Sequence, residues 1–263
     1  MSNPPPPFPP AGYSEDVFRR VRVLFGGQYV ADAPQPKLVW EHPWYPLWYF
    51  PKDTVGKEYL KNAQQATDGK STYDLVVGDK KAEGAVTVFE QGDLAGYVKI
   101  IFSAADAWFE EDQRVYVHPK DPYKRVSILP SSKHIRVEVD GVEIANTKSS
   151  QRLYETALPI RTYIPLKDVR VDLLTDAALV TSCPYKGDAH YYDINLPSGK
   201  KEGLVWWYKL PTMESAQIAG HVAFYDEKVD VWVDGVKQER MKTHFLAKAN
   251  DPILSVAQHR TRA

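Results

Sequence analysis

The 263-residue chain contains a single cysteine, Cys183. One thiol excludes an internal disulfide framework and every zinc site built on paired cysteines. The simplest expectation is a reducing, cytoplasmic compartment. The seven histidines are scattered, with no His-x-x-x-His spacing, so no metal is expected. No apolar run reaches the roughly 18–20 residues of a membrane span, and no membrane partner is expected. The opening segment lacks both a basic n-region and an apolar h-region, so it does not read as a secretory leader. Excess charge is missing too: 33 Lys+Arg stand against 34 Asp+Glu. That balance gives no electrostatic footprint for nucleic acid, and none is expected as a partner. There is no glycine-rich phosphate loop, no Gly-x-Ser-x-Gly elbow, and no Gly-Ser step followed by paired aspartates. No cofactor is expected.

Aromatic residues, by contrast, are abundant, at 12% with 7 Trp and 16 Tyr. Such side chains supply core, and those on a concave face supply pocket walls. Proline is concentrated at the start, where six of the first ten residues are Pro. That run favours extended polyproline II structure and builds no core, so residues 1–17 are expected to form a disordered tail and residues 239–263 a second one.

The most informative feature is an internal repeat. Displaced by 114 residues, segment 22–55 falls on segment 136–169 without a gap. The identities are Arg22/Arg136, Val23/Val137, Gly27/Gly141, Ala31/Ala145, Glu41/Glu155, Tyr49/Tyr163, Pro51/Pro165 and Val55/Val169. A second match, at a displacement of 116, lays 107–119 on 223–235. Two units follow, 18–130 and 131–238; two copies make a duplicated domain and not a solenoid. Within each unit the apolar period is two. Ile135–Val139 alternates, Asp140-Gly141 turns the chain, and Val142–Ala145 continues, the pattern of a hairpin; Gly26-Gly27 does the same in the first unit. One short helix per unit is expected, at 103–111 and 212–218. The fold class expected is mostly β, two tandem antiparallel domains.

The segment Cys183-Pro-Tyr-Lys-Gly187 lies among family-like steps: Val137 to Gly141, Tyr154-Glu155, Tyr163-Ile-Pro165, Val205-Trp206 and Ile218 to Tyr225. On these residues the chain resembles domain-of-unknown-function family 427, nucleotidyltransferase-like in name only, as a member with two tandem units. The resemblance implies a tent-like, Mss4-like β fold around a groove and implies no settled activity. It covers the second unit almost end to end. In the first unit, Asp74-Leu-Val-Val-Gly78 is expected to stand where Cys183–Gly187 would be.

The candidate chemistry sits mainly in the second unit. Cys183 has cationic Lys186 and His190 nearby in sequence, which favours a thiolate nucleophile; the alternative is a small buried apolar filler. Glu155 is either a general base or the carboxylate of a structural ion pair with Arg161, Lys186 or a tyrosine hydroxyl. Glu155 and Cys183 are thus the catalytic candidates. The candidate ligand-binding residues are Tyr163, Tyr185, Lys186, His190, Tyr191 and Trp206, with Glu41 at the matching place in the first unit. Two functions remain open: a small-molecule binder or enzyme with its pocket in the second unit and the first unit as scaffold, or a non-catalytic interaction module using sheet edges and the Pro-rich tail. The sequence fixes neither the ligand nor the oligomeric state.

Overall fold

The structure is a computed structural model that describes residues 9–65, 68–240 and 260–261. The proline run up to residue 8 and nearly all of the stretch 239–263, both expected as tails, lie outside the described residues. The chain divides into two compact units, Met1–Tyr123 and Lys124–Ala263.

The first unit contains β1 (Ser14–Asp16), β2 (Val21–Phe25), β3 (Gln28–Ala33), β4 (Lys37–Val39), β5 (Leu47–Pro51), β6 (Leu60–Gln65), β7 (Lys70–Val77), β8 (Lys80–Phe89), β9 (Tyr97–Ile100), β10 (Ala107–Glu110) and β11 (Gln113–Val115). The second contains β12 (Val126–Ser131), β13 (Ile135–Val139), β14 (Val142–Thr147), β15 (Ser150–Glu155), β16 (Arg161–Pro165), β17 (Leu174–Cys183), β18 (Gly187–Leu196), β19 (Gly199–Tyr208), β20 (His221–Phe224), β21 (Asp230–Val233), β22 (Val236–Lys237) and β23 (Arg260–Thr261).

Each unit pairs a large sheet with a four-stranded one, and the strand order is the same in both. The large sheets run β1-β4-β5-β9-β8-β7-β6 and β12-β15-β16-β20-β19-β18-β17, the latter extended by β23. The small sheets run β3-β2-β10-β11 and β14-β13-β21-β22. Even the irregularities repeat. The β2/β3 ladder slips between Val23 and Leu24, and the β13/β14 ladder between Val137 and Glu138. Isolated bridges join Ala31 to Val55 and Ala145 to Val169. The hairpin turns predicted at Gly26-Gly27 and Asp140-Gly141 are present, with positive φ at all four residues, as a two-residue turn matched to strand twist requires.

Between the sheets of each unit lies the main core. Val21, Val23 and Phe25 alternate inward from β2 and meet Phe50, Val86, Val88 and Val98 of the large sheet. In the second unit Ile135, Val137 and Val139 meet Ile164, Ile194, Val205 and Val222. Strand alternation then sends the intervening side chains to the opposite face of the large sheet. That second face carries the candidate site.

Five expectations need correction. Ser14–Asp16, inside the supposed tail, forms an edge strand against β4, and Val126–Ser131, of which 126–130 were expected in the first unit, forms the matching edge of the second. β1 is largely solvent-facing and β12 buries only Ile128, so neither shows the sustained apolar alternation that marks a strand. The helix expected at 212–218 is the 3-10 segment Met213–Ile218, whereas in 103–111 only a 3-10 turn, Phe102–Ala104, is helical and Ala107–Glu110 is strand β10. The displacement of 116 is also superseded: β10 pairs with β2 as β21 pairs with β13, which lays Trp108 on Val231, a displacement of 123. Last, Asp74 corresponds to Asp193, not to the Cys183 motif: each carboxylate accepts a backbone N–H at 2.8 Å, from Gly84 and Gly203 respectively. Residues 183–187 close the β17/β18 hairpin, and the matching β6/β7 connection is 66–69. Among the described residues, no helix is long and apolar enough to cross a membrane.

Candidate functional site

On the second face of the large sheet in the second unit, one row of side chains crosses four strands. Tyr163 of β16 is opposite Ala223 of β20, Ala223 opposite Trp206 of β19, and Trp206 opposite Tyr191 of β18. The adjacent row places Tyr208 opposite Ala189. These residues join Leu153 and Ile218 in one buried cluster. The two small alanines leave space between the aromatic rings. The result is a cavity of about 300 Å³ walled by Leu153, Leu158, Pro159, Trp206 and four tyrosines, Tyr163, Tyr191, Tyr208 and Tyr225.

Two ion pairs face this cavity. Lys186 Nζ donates to Glu155 Oε2 at 2.6 Å, with side chains only 11% and 10% exposed. Arg161 grips Glu227 with both terminal nitrogens, at 2.9 and 2.5 Å, and its guanidinium lies 5.6 Å from the Trp206 ring centre. Burial opposes the Lys186 charge, but Cys183 and Glu155 more than compensate, and the ammonium is held well above the usual lysine range. Burial also keeps the phenols protonated, with Tyr163 pushed up to about 12 and Tyr208 and Tyr225 likewise held well above the ordinary tyrosine value. Asp226, next to this cluster, is pushed up to about 6 by burial, against the pull of Arg161. The tyrosine edges are committed: Trp206 Nε1 donates to Tyr163 Oη at 3.2 Å, and the Tyr191 and Thr181 hydroxyls bond at 2.8 Å.

The β17/β18 hairpin is what brings Lys186 inward. Gly187 has φ +95, and a Cβ there would stand 3.1 Å from the Leu210 carbonyl oxygen. Glycine therefore allows the hairpin to lie against the 210–212 segment. Thr212 N–H donates to the Lys186 carbonyl, and the Thr212 and Ser215 hydroxyls donate to the Tyr185 carbonyl. This clasp seats the 3-10 segment whose Ile218 packs in the cavity cluster.

Of the residues picked out from sequence, Glu155, Tyr163, Lys186, Tyr191 and Trp206 converge on the cavity. Cys183 is not in the lining; it is a free, half-buried thiol at the end of β17, where the hairpin begins. Tyr185 is buried in the turn of the hairpin and contributes its carbonyl to the clasp. His190 is a correction: alternation turns it to the opposite face, where its ring sits 5.5 Å from Trp207. Closeness to Cys183 in sequence misled, because neighbouring strand positions face apart. Sequence reasoning missed Tyr208 and Tyr225 as cavity residues and missed the Arg161–Glu227 pair. Tyr208 was within reach, being two residues from Trp206 and so on its face. Tyr225 and Glu227 follow strand β20 in a loop with no periodic pattern.

Glu41 belongs to an equivalent cavity in the first unit. There Tyr49 is opposite Lys99, Lys99 opposite Thr87, and Thr87 opposite Thr72. Glu41 accepts the Tyr49 hydroxyl and the Lys99 ammonium, the latter at 2.7 Å. The dense aromatic stretch 40–50 is divided by alternation: Trp48 and Phe50 enter the main core, and Tyr49 turns to the cavity. Among the described residues, no cluster of His, Cys, Asp or Glu has the makings of a metal site.

Two antiparallel β units of matching topology, each with a cavity on the same face of its larger sheet, define a duplicated β-domain protein. The family model for a domain of unknown function, DUF427, matches residues 14–111 and again 127–235. The chain belongs to that family and carries two copies of its domain in tandem. No curated protein matches the chain.

Proposed function

We propose that the second unit binds a small, electrically neutral molecule with a flat apolar part and one or two hydroxyl or carbonyl groups. The observation that carries this reading is the charge balance of the cavity wall. Each cation there is already matched: Lys186 by Glu155 and Arg161 by Glu227. A charged ligand would have to displace a buried partner and leave it uncompensated, at a cost of several kcal/mol. A neutral ligand leaves both pairs intact and takes hydrogen bonds from their remaining donor and acceptor positions. Leu153, Leu158, Pro159 and Trp206 supply flat apolar area, and a volume of about 300 Å³ suits a single-ring or two-ring compound. Glu155 is committed to Lys186 and Cys183 stands outside the lining, so the geometry favours reversible binding over a covalent step.

The test is to purify the full chain and its Lys186→Met variant, release bound metabolites and compare them by mass spectrometry. A neutral ring compound carried by the wild type and lost from the variant supports the reading. Enrichment of acidic or phosphorylated compounds, equal retention by both proteins, or nothing carried by either overturns it.

A further inference from the structure

The first unit's cavity has the same place in its sheet and a more polar wall. Aligning the ladders lays Thr87 on Trp206 and Thr72 on Tyr191, so two large aromatics become two threonines. In the same row Lys99 falls on Ala223, and in the adjacent row Lys70 falls on Ala189, so two alanines become two lysines. Hydroxyls and ammonium groups are added to a wall that keeps the rings of Tyr49 and Phe89, and the cavity measures about 520 Å³ against about 300 Å³.

The carboxylate at its edge keeps a cation by a different route. Glu155 is met by Lys186 from a hairpin, whereas Glu41 is met by Lys99 from the middle of a strand. Lys70 is likewise matched, to Asp68 at 2.7 Å. This wall too is balanced in charge, which disfavours an ionic ligand as it does in the second unit. Its hydrogen-bonding capacity is nonetheless high. Thr72 and Thr87 line it as hydroxyl donors and acceptors, and Lys99 and Glu41 retain further positions beyond their mutual bond.

We infer that the first unit holds a second binding site, formed by Glu41, Thr72, Thr87 and Lys99, for a small neutral polyhydroxylated molecule of the sugar or cyclitol class. Such a ligand offers many hydroxyls and little apolar surface, the reverse of what the second unit accommodates. The two sites are independent, and this one stands whether or not the second unit binds a ring compound.

The experiment is an amide NMR titration of the full chain with myo-inositol and, separately, with cyclohexanol, which has the same six-carbon ring and a single hydroxyl. Saturable shifts at Thr72, Thr87 and Lys99 with myo-inositol, and none there with cyclohexanol, are expected. Thr87→Val removes one hydroxyl at constant shape and should raise the half-saturating concentration about fivefold, roughly one hydrogen bond. Thr87→Trp should abolish the shifts by filling the cavity, and the wild-type titration decides the matter if that variant does not fold. Shifts that rise linearly without saturating, equal response to cyclohexanol, or an unchanged Thr87→Val overturn the inference.

Discussion

Removing either partner of the Lys186–Glu155 pair should be far more damaging than removing both. The two side chains are only 11% and 10% exposed and meet at 2.6 Å. In Glu155→Gln the ammonium remains buried among tyrosines with no counter-ion; in Lys186→Met the carboxylate does. Breaking one side of a buried pair costs about 3–5 kcal/mol. For a unit of this size that amounts to a loss of roughly 10 °C or more in Tm. In the double variant neither charge has to be desolvated, and the stability should return to within about 1 kcal/mol of wild type. The coupling from a double-mutant cycle should then be at least about 2 kcal/mol. Its pH dependence follows from sign. The folded-state pKa of Lys186 lies above its unfolded value, so its contribution is complete below the lysine range and is lost only as pH rises through the folded value. The coupling should therefore be flat from about pH 6 to 9, well below the unfolded lysine pKa. Urea titrations of the four proteins, followed by tryptophan fluorescence, measure it. Single variants each within about 1 kcal/mol of wild type, or a double variant as weak as the sum of the singles, would refute the reasoning.

Asp226 should give the second unit an unusual response to mild acid. Its folded pKa, about 6, lies above its ordinary value of 3.8, so the stability of the protonated form is complete below about pH 4 and is lost as pH rises through 6. Asp226→Asn should remove that slope, on the order of 2 kcal/mol, in melts taken across pH 4 to 7; an unchanged slope assigns it to another group. Gly187→Ala should cost about 1–2 kcal/mol, because alanine is strained at φ +95 and its Cβ meets the Leu210 carbonyl oxygen at 3.1 Å. Hydrogen exchange should show the loss concentrated at β18 and at residues 210–218, and a uniform loss would argue against the clasp.

The duplication was legible because segment 22–55 and its copy have no insertion between them, so a fixed displacement exposes it. Beyond that segment the displacement changes. Tyr49 maps to Tyr163 at 114, Asp74 to Asp193 at 119, and Lys99 to Ala223 at 124. The first change falls at the hairpin that carries Cys183–Gly187, the second at the connection from β19 to β20 that carries the Met213–Ile218 segment. Surface connections absorb added residues at little free-energy cost, and each addition hides the next part of a repeat from an ungapped comparison. Asp74 was thus set against the wrong motif, although its bond to the Gly84 N–H and that of Asp193 to Gly203 mark the true correspondence. Strand faces were legible wherever alternation was applied. It places Glu155 with Leu153 and Tyr208 with Trp206, and it would have removed His190.

The same insertions account for the difference between the two sites. The first unit joins β6 to β7 through residues 66–69 and β8 to β9 through residues 90–96; the second uses a hairpin that turns Lys186 inward and a longer connection, 209–220, that clasps it. With a cation arriving from the hairpin, the strand positions beneath it need supply none, and they hold Ala223 and Ala189. Small residues there make room for Tyr163, Trp206 and Tyr208 to approach one another. In the first unit the strands must supply the cation, and Lys99 occupies the place of Ala223 at 2.7 Å from Glu41. A lysine stem there competes with a neighbouring aromatic for the same space, and the neighbour is Thr87. Where the lysine enters thus determines how many aromatic rings the wall of each cavity can carry.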